Sequence, residues 1–280
     1  MKATMTNKIG IILISILLLN ACLPQPVKPT SNCKNDGIAL SCPHTTMTFP
    51  VNDELRTVHF QAPRGDAPSN GWPAVILFQG TLATAKLTWT ASPTTDLFGA
   101  YNQTRVVQRL LDNGYAVITP ETHLGGFTFW DTNNPLFANF NESNDHRLML
   151  KIFEHIDNGI YGNIDPNKLF AGGISSGGYM TSRMALQYPG KFKALAIAAG
   201  SYATCAGPIC VLGHIPNDHP PTIFLHGSAD PIVPLFTMET YFDKLKEKGI
   251  PVRKIIEPLS LHRWIDASPN AVVNWFNAYK

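Results

Sequence analysis

Gly173-Ile174-Ser175-Ser176-Gly177 places a serine hydroxyl between two glycines, each two residues away. An apolar run, Leu169-Phe170-Ala171, leads into it, and Met180, Met184, Ala185 and Tyr188 lead out at helical spacing. Strand, tight turn, helix is the context in which a serine stands exposed as a nucleophile. Such a turn strains the serine backbone, so the residues two before and two after must be small. Ser175 meets that demand, whereas Ser176 would have β-branched Ile174 two positions before it. Ser175 is therefore the candidate nucleophile, although the five residues alone also fit an ordinary Gly/Ser turn.

A serine hydroxyl needs a base, and the base needs a carboxylate to orient it. In chains with this elbow the order is serine, then acid, then histidine. The carboxylates after Ser175 include Asp218, Asp230, Glu239, Glu257 and Asp266. Asp230 stands in a turn just after an apolar run, in Leu225-His226-Gly227-Ser228-Ala229-Asp230-Pro231, and is the candidate acid. Asp266 is second choice. His262 is the sole histidine after Asp230, so it is the candidate base. His214, His219 and His226 break the order, and His226 reads as a structural histidine at a strand end. The developing oxyanion needs two N–H donors. Ser176, following the nucleophile, would give one, and Thr81, in the loop after Gly80, the other. This chemistry needs no metal or diffusible cofactor. Cys205, Cys210 and His214 lack a fourth ligand at a usual spacing and do not read as a metal site.

The elements that must position these groups follow from the pattern of apolar runs. Strands are expected at Thr57–Gln61, Ala74–Phe78, Tyr115–Thr119, the approach to the elbow, Ala194–Ala198, Pro221–Gly227 and Val252–Ile256. Helices are expected at Gln103–Asn113, Asp145–Ile160, after the elbow, at Leu235–Lys248 and at Asn270–Tyr279. Strands alternating with helices imply a mostly parallel central sheet covered on both faces. With the elbow at a strand's carboxyl end, this is the α/β-hydrolase fold. Residues 121–141 show no period and are rich in aromatics, and long irregular stretches in a compact domain are usually functional. Phe127, Phe129 and Trp130 there, with Trp264 beside the candidate base, are expected to line an apolar substrate cleft.

Residues 1–21 read as a lipoprotein-type signal peptide. Lys2 and Lys8 precede the apolar Ile9–Leu19, and Leu19-Asn20-Ala21-Cys22 resembles a lipobox. Cys22 would then be the lipidated first residue of the mature chain, and the membrane would be touched only through that anchor. Residues 22–45 read as a proline-rich tether, with residues 23–32 extended and unpacked, followed by an N-terminal disulfide segment. Residues 46–280 read as one catalytic domain. Without Lys2 and Lys8 the formal charge of +2 falls to zero, and no basic run suggests a nucleic-acid partner. In an exported chain Cys33, Cys42, Cys205 and Cys210 invite two disulfides, the near pairs Cys33–Cys42 and Cys205–Cys210 being favoured among three connectivities. Oligomeric state is not encoded in any of these features.

Motifs beyond the elbow carry a family resemblance that runs from about Cys33 to the C-terminus. They are Gly71-Trp72-Pro73, Gln79-Gly80, Gly114-Tyr115-Ala116-Val117-Ile118, Pro189-Gly190-Lys191-Phe192, Gly200-Ser201-Tyr202-Ala203-Thr204-Cys205, Asp218-His219-Pro220-Pro221 and Ala267-Ser268-Pro269. With the elbow itself, the chain resembles the extracellular medium-chain-length polyhydroxyalkanoate depolymerases. The resemblance implies an exported serine esterase acting on a hydrophobic polyester, with Ser175, Asp230 and His262 at the family's triad positions. The lipobox-like ending departs from a family associated with release into the medium. Within the same chemistry, an esterase for small, feruloyl or acetyl esters is the alternative. A non-catalytic surface lipoprotein with a hydrolase-like fold is the alternative of another class.

Overall fold

Ala74-Val75-Ile76-Leu77-Phe78 is apolar at every position, as a strand buried on both faces must be. In the computed structural model, which describes residues 27–123, 128–133 and 139–280, that run lies at the centre of the sheet. The strands are β1 (Lys34–Asn35), β2 (Leu40–Ser41), β3 (Thr45–Val51), β4 (Glu54–Gln61), β5 (Trp72–Phe78) and β6 (Thr90–Ala91), followed by β7 (Ala116–Pro120), β8 (Ile164–Ile174), β9 (Phe192–Ala198), β10 (Thr222–Gly227) and β11 (Val252–Glu257). The α-helices that flank them are α1 (Ala100–Asp112), α2 (Asn144–Asp157), α3 (Ser176–Gln187), α4 (Leu235–Glu247) and α5 (Ser268–Asn277). Among the described residues the main sheet has eight strands in the order β11-β10-β9-β8-β5-β7-β4-β3. All neighbours from β11 to β7 are parallel, while β4 pairs antiparallel with both β7 and β3. This is the α/β-hydrolase fold.

The two-residue period of a strand decides which helices cover which face. Ala74, Ile76 and Phe78 pack with Leu148 and Ile152 of α2 and Met180 and Met184 of α3. Val75 and Leu77 point the other way, toward Val106, Val107 and Leu110 of α1 and Val272 and Phe276 of α5. Helix α4 covers Ile197 and Phe224 through Met238 and Tyr241.

Register brings the functional loops to one edge. Phe78 pairs with Gly173, Ile174 with Ala198, Ala198 with Leu225, and Gly227 with Glu257. The chain after β5, β8, β10 and β11 therefore leaves the sheet at a common carboxyl end, where open α/β sheets bind ligands.

The amino-terminal segment differs from its expected form. Val27–Asn32 is not an unpacked tether: the Val27 N–H donates to Asp66 at 3.0 Å, Thr30 exchanges backbone hydrogen bonds with Arg64 at 3.1 and 2.9 Å, and the Ser31 N–H reaches Asp112 at 2.7 Å. Extended backbone leaves its amides free, and nearby acceptors bind them. Beyond it β1, β2 and β6 form a small antiparallel sheet. Disulfides join Cys33 to Cys42 and Cys205 to Cys210, the two near pairs. No described helix is long and apolar enough to cross a membrane, and Cys22 lies outside the described residues.

Candidate active site

Ser175 sits between the end of β8 and the start of α3 with φ 57° and ψ −124°. Positive φ is rare for a non-glycine residue and marks stored strain. The turn is held from both sides: the Ser175 N–H donates to the Ala198 carbonyl at 3.0 Å, and its carbonyl accepts from the Tyr179 N–H at 3.0 Å. A Cβ on Gly177 would collide with the Phe78 and Gln79 carbonyls, and one on Gly173 with the Gly177 carbonyl. Both glycines are thus required by the end of β5 and by the turn itself.

Ser176 is buried, and its hydroxyl accepts from the Trp130 N–H at 2.9 Å, which leaves Ser175 as the serine facing outward. As the first residue of α3, Ser176 has its amide at a helix N-terminus, where anions are favoured. Gly80 brings the loop after β5 against the elbow: a Cβ built there lies 3.5 Å from the Ser175 Cβ. Thr81, half-buried, follows directly.

Asp230 and His262 meet across the loops after β10 and β11. The His262 Nδ1 lies 2.8 Å from the Asp230 Oδ2. Asp230 Oδ1 accepts the N–H groups of Ile232 and Val233, both at 2.9 Å. His226 Nε2 donates to the Val233 carbonyl at 2.8 Å and stands 3.4 Å from Asp230 Oδ2. Burial alone would raise the Asp230 carboxyl, but the hydrogen bonds from His226, His262 and the Val233 amide outweigh it and hold it well below the usual carboxylate range. The histidine loop is laced to the aspartate loop by Ser228 N–H to Glu257 O and Ala229 N–H to Ser260 O, each 3.0 Å, and by Leu259 N–H to the Ser228 hydroxyl at 2.8 Å. Asp266 is engaged elsewhere, accepting from Asn102 at 2.9 Å.

Two of the aromatics expected in a cleft are not there. Trp130 and Trp264 are both 0% exposed. Trp130 turns inward because its indole N–H donates to the Gln79 carbonyl at 2.9 Å and its ring packs edge-on to Phe78. Trp264 is buried in the core cluster that also holds Val106, Leu110 and Val272. Phe129 is exposed, and Phe127 lies outside the described residues. The residues that do surround the candidate base are Leu97, Phe98, Pro231, Ile232 and Leu261. Phe98 and Leu97 lie in a stretch without apolar periodicity, which hid them. The second role of His226, beside Asp230, was signalled only by its four-residue spacing.

One cluster among the described residues has metal-ligand geometry. His123, Asp131 and Asp145 bring one ligand atom each within 4.8 Å of one another. Protein groups already serve it: Arg56 lies 2.7 Å from Asp145, and Glu54 accepts from His123 at 2.8 Å. The hydrogen bond to Asp131 comes first in raising the His123 pKa to about 9, against the opposing effect of burial.

A strained serine at the elbow, an aspartate-paired histidine and a parallel sheet that presents both at one edge define a serine hydrolase of the α/β-hydrolase class. Residues 104–206 match the model of the prolyl oligopeptidase family. Over 279 residues the chain is 41% identical to a poly(3-hydroxyoctanoate) depolymerase of Pseudomonas fluorescens, covering 94% of this chain and 96% of that one. The chain belongs to that depolymerase family. A shorter match, 32% identical over 96 residues and covering 34% of this chain and 32% of the other, is to feruloyl esterase B of Thermothelomyces thermophilus. A thermostable esterase of known structure superposes with a TM-score of 0.57 at 19% identity over 84% of this chain and 60% of its own, a likeness of fold.

Proposed function

We propose that Ser175, Asp230 and His262 form the catalytic triad of an esterase that cleaves medium-chain-length poly(3-hydroxyalkanoate) to hydroxyacids or short oligomers. The observation that carries this is the 2.8 Å contact between His262 Nδ1 and a fully engaged Asp230. It fixes the tautomer with the proton on Nδ1 and leaves Nε2 free to take the Ser175 proton. Ser175 Oγ then attacks the ester carbonyl, and the amides of Ser176 and Thr81 receive the oxyanion. Collapse releases the alcohol end of the polymer with the proton from His262. Water, deprotonated by the same nitrogen, next frees the hydroxyacid. Membership of the depolymerase family supports the polyester substrate.

On the same reading, residues 1–21 are an export signal, Cys22 is a lipidated residue, residues 22–45 are an amino-terminal segment carrying the Cys33–Cys42 disulfide and docked on the domain from Val27 onward, and 46–280 are the catalytic domain. The Cys33–Cys42 and Cys205–Cys210 disulfides support an exported protein. A Cys22→Ser variant is expected to move from the membrane fraction to the soluble one; continued membrane attachment would overturn the lipid anchor. A fluorophosphonate probe is expected to label the wild type and not Ser175→Ala. The wild type is expected to clear a latex of medium-chain polyester, and activity confined to feruloyl or other small soluble esters would replace the polymer substrate.

A further inference from the structure

A cavity of about 280 Å³ opens directly beside His262. Leu97, Phe98, Pro231, Ile232 and Leu261 form its wall with His262 itself, and Asp96 and Arg263 stand at its edge. Its size is close to the lower end, ~300 Å³, of pockets that hold small organic ligands. Leu97, Phe98, Ile232 and Leu261 are 70%, 42%, 49% and 59% exposed, so four large apolar side chains converge on one opening with little protein to cover them.

The wall is built rather than incidental. Phe98 has φ 54° and ψ 24°, left-handed backbone that an aromatic residue rarely adopts. Its carbonyl accepts from the Trp264 N–H at 3.0 Å, and a Cβ on the next residue, Gly99, would collide with the Trp264 backbone. The strain turns the Phe98 ring edge-on to the His262 ring, with centroids 5.9 Å apart. Arg263 and Asp96 pair with each other, and Asp96 also accepts from the Tyr101 N–H at 2.8 Å. The two charged residues at the edge face each other, and the wall between them and His262 is apolar.

We infer that this cavity is the acyl-side subsite of the esterase and takes the alkyl side chain of the 3-hydroxyacyl unit at the scissile ester. The inference rests on the proposed ester hydrolysis at Ser175 and names residues that set side-chain length. Each methylene that enters leaves water for an apolar wall, and a few such groups amount to one or more powers of ten in transition-state binding. Chain-length preference therefore resides in Leu97, Phe98, Ile232 and Leu261.

The test compares kcat/KM for p-nitrophenyl octanoate and p-nitrophenyl acetate in the wild type, Leu261→Gln and Ile232→Gln. Both substitutions fall on exposed positions, and Leu55→Gln, exposed on β4, is the control. The octanoate-to-acetate ratio is expected to fall about tenfold in each cavity variant and to keep its wild-type value in the control. A wild-type ratio in both cavity variants would overturn the subsite. Latex clearing by the wild type separates the two claims. Clearing with an unmoved ratio overturns the subsite alone, while a lowered ratio without clearing upholds the subsite and overturns the polymer substrate.

Discussion

Asp230, the proposed orienting carboxylate, is itself held in place. One oxygen is held by two backbone amides and the other faces His262 and His226, so the carboxylate has one orientation available to it. Asp230→Asn would keep the shape but present a donor to His262 or leave Nδ1 with the wrong tautomer. We expect kcat to fall by about 10⁴-fold with KM changed little, measured on a soluble ester by an enzyme whose circular dichroism is unchanged. A fall of less than about tenfold would remove Asp230 from the triad. At this scale the chain order was informative: His262 was the one histidine available after Asp230, and the glycine offsets separated Ser175 from Ser176. The aromatics were not legible in the same way. Residue type does not say whether an indole turns inward, and the acceptor that captures Trp130, the Gln79 carbonyl, lies 51 residues away in the chain.

Between elements, contact rather than chemistry sets what is tolerated. Gly227 ends β10 against the Ser260 and Leu261 carbonyls, which belong to the loop carrying His262. A methyl group there must push that loop outward and break the lacing from Ser228 and Ala229. Gly227→Ala is expected to lower stability by roughly 1–3 kcal/mol, read from the denaturant midpoint, with a larger loss of kcat than of substrate binding. The α/β pattern was readable because its parallel strands are buried apolar runs, as at Ala74–Phe78 and Ala194–Ala198. Strand β3 was not, since Thr45–Val51 carries three threonines and a proline and lies at the sheet's edge, where only alternate side chains near its end are buried. The small β1-β2-β6 sheet has two-residue strands, too short to show a period, and β2 finds its partner β6 about fifty residues on.

At the scale of the whole molecule, one charged network joins the strand side of the sheet to the irregular segment beside the elbow. Arg56 on β4 pairs with Glu54 on the same strand and with Asp145 on α2, and His123 in that segment pairs with Glu54, Asp131 and Asp145. Asp131 and Asp145 also exchange backbone-to-carboxylate hydrogen bonds at 2.6 and 3.2 Å. The neighbouring residue, Trp130, donates to the Ser176 hydroxyl, so the network steadies one flank of the elbow. Its titrating member is His123, raised to about 9 chiefly by Asp131. An unfolded histidine titrates near ~6.5, so the folded state holds this proton more tightly. The stability it contributes is complete below ~6.5 and is lost as pH rises through about 9. Because the imidazole is partly open to solvent, screening reduces the effect to roughly 1–2 kcal/mol. The melting temperature is therefore expected to fall by several degrees between pH 7 and pH 10. His123→Gln is expected to melt lower than the wild type at pH 7, because Asp131 loses its hydrogen-bonded cation, and to show little further fall toward pH 10. Parallel decline of wild type and variant across that range would mean that another group carries the pH dependence.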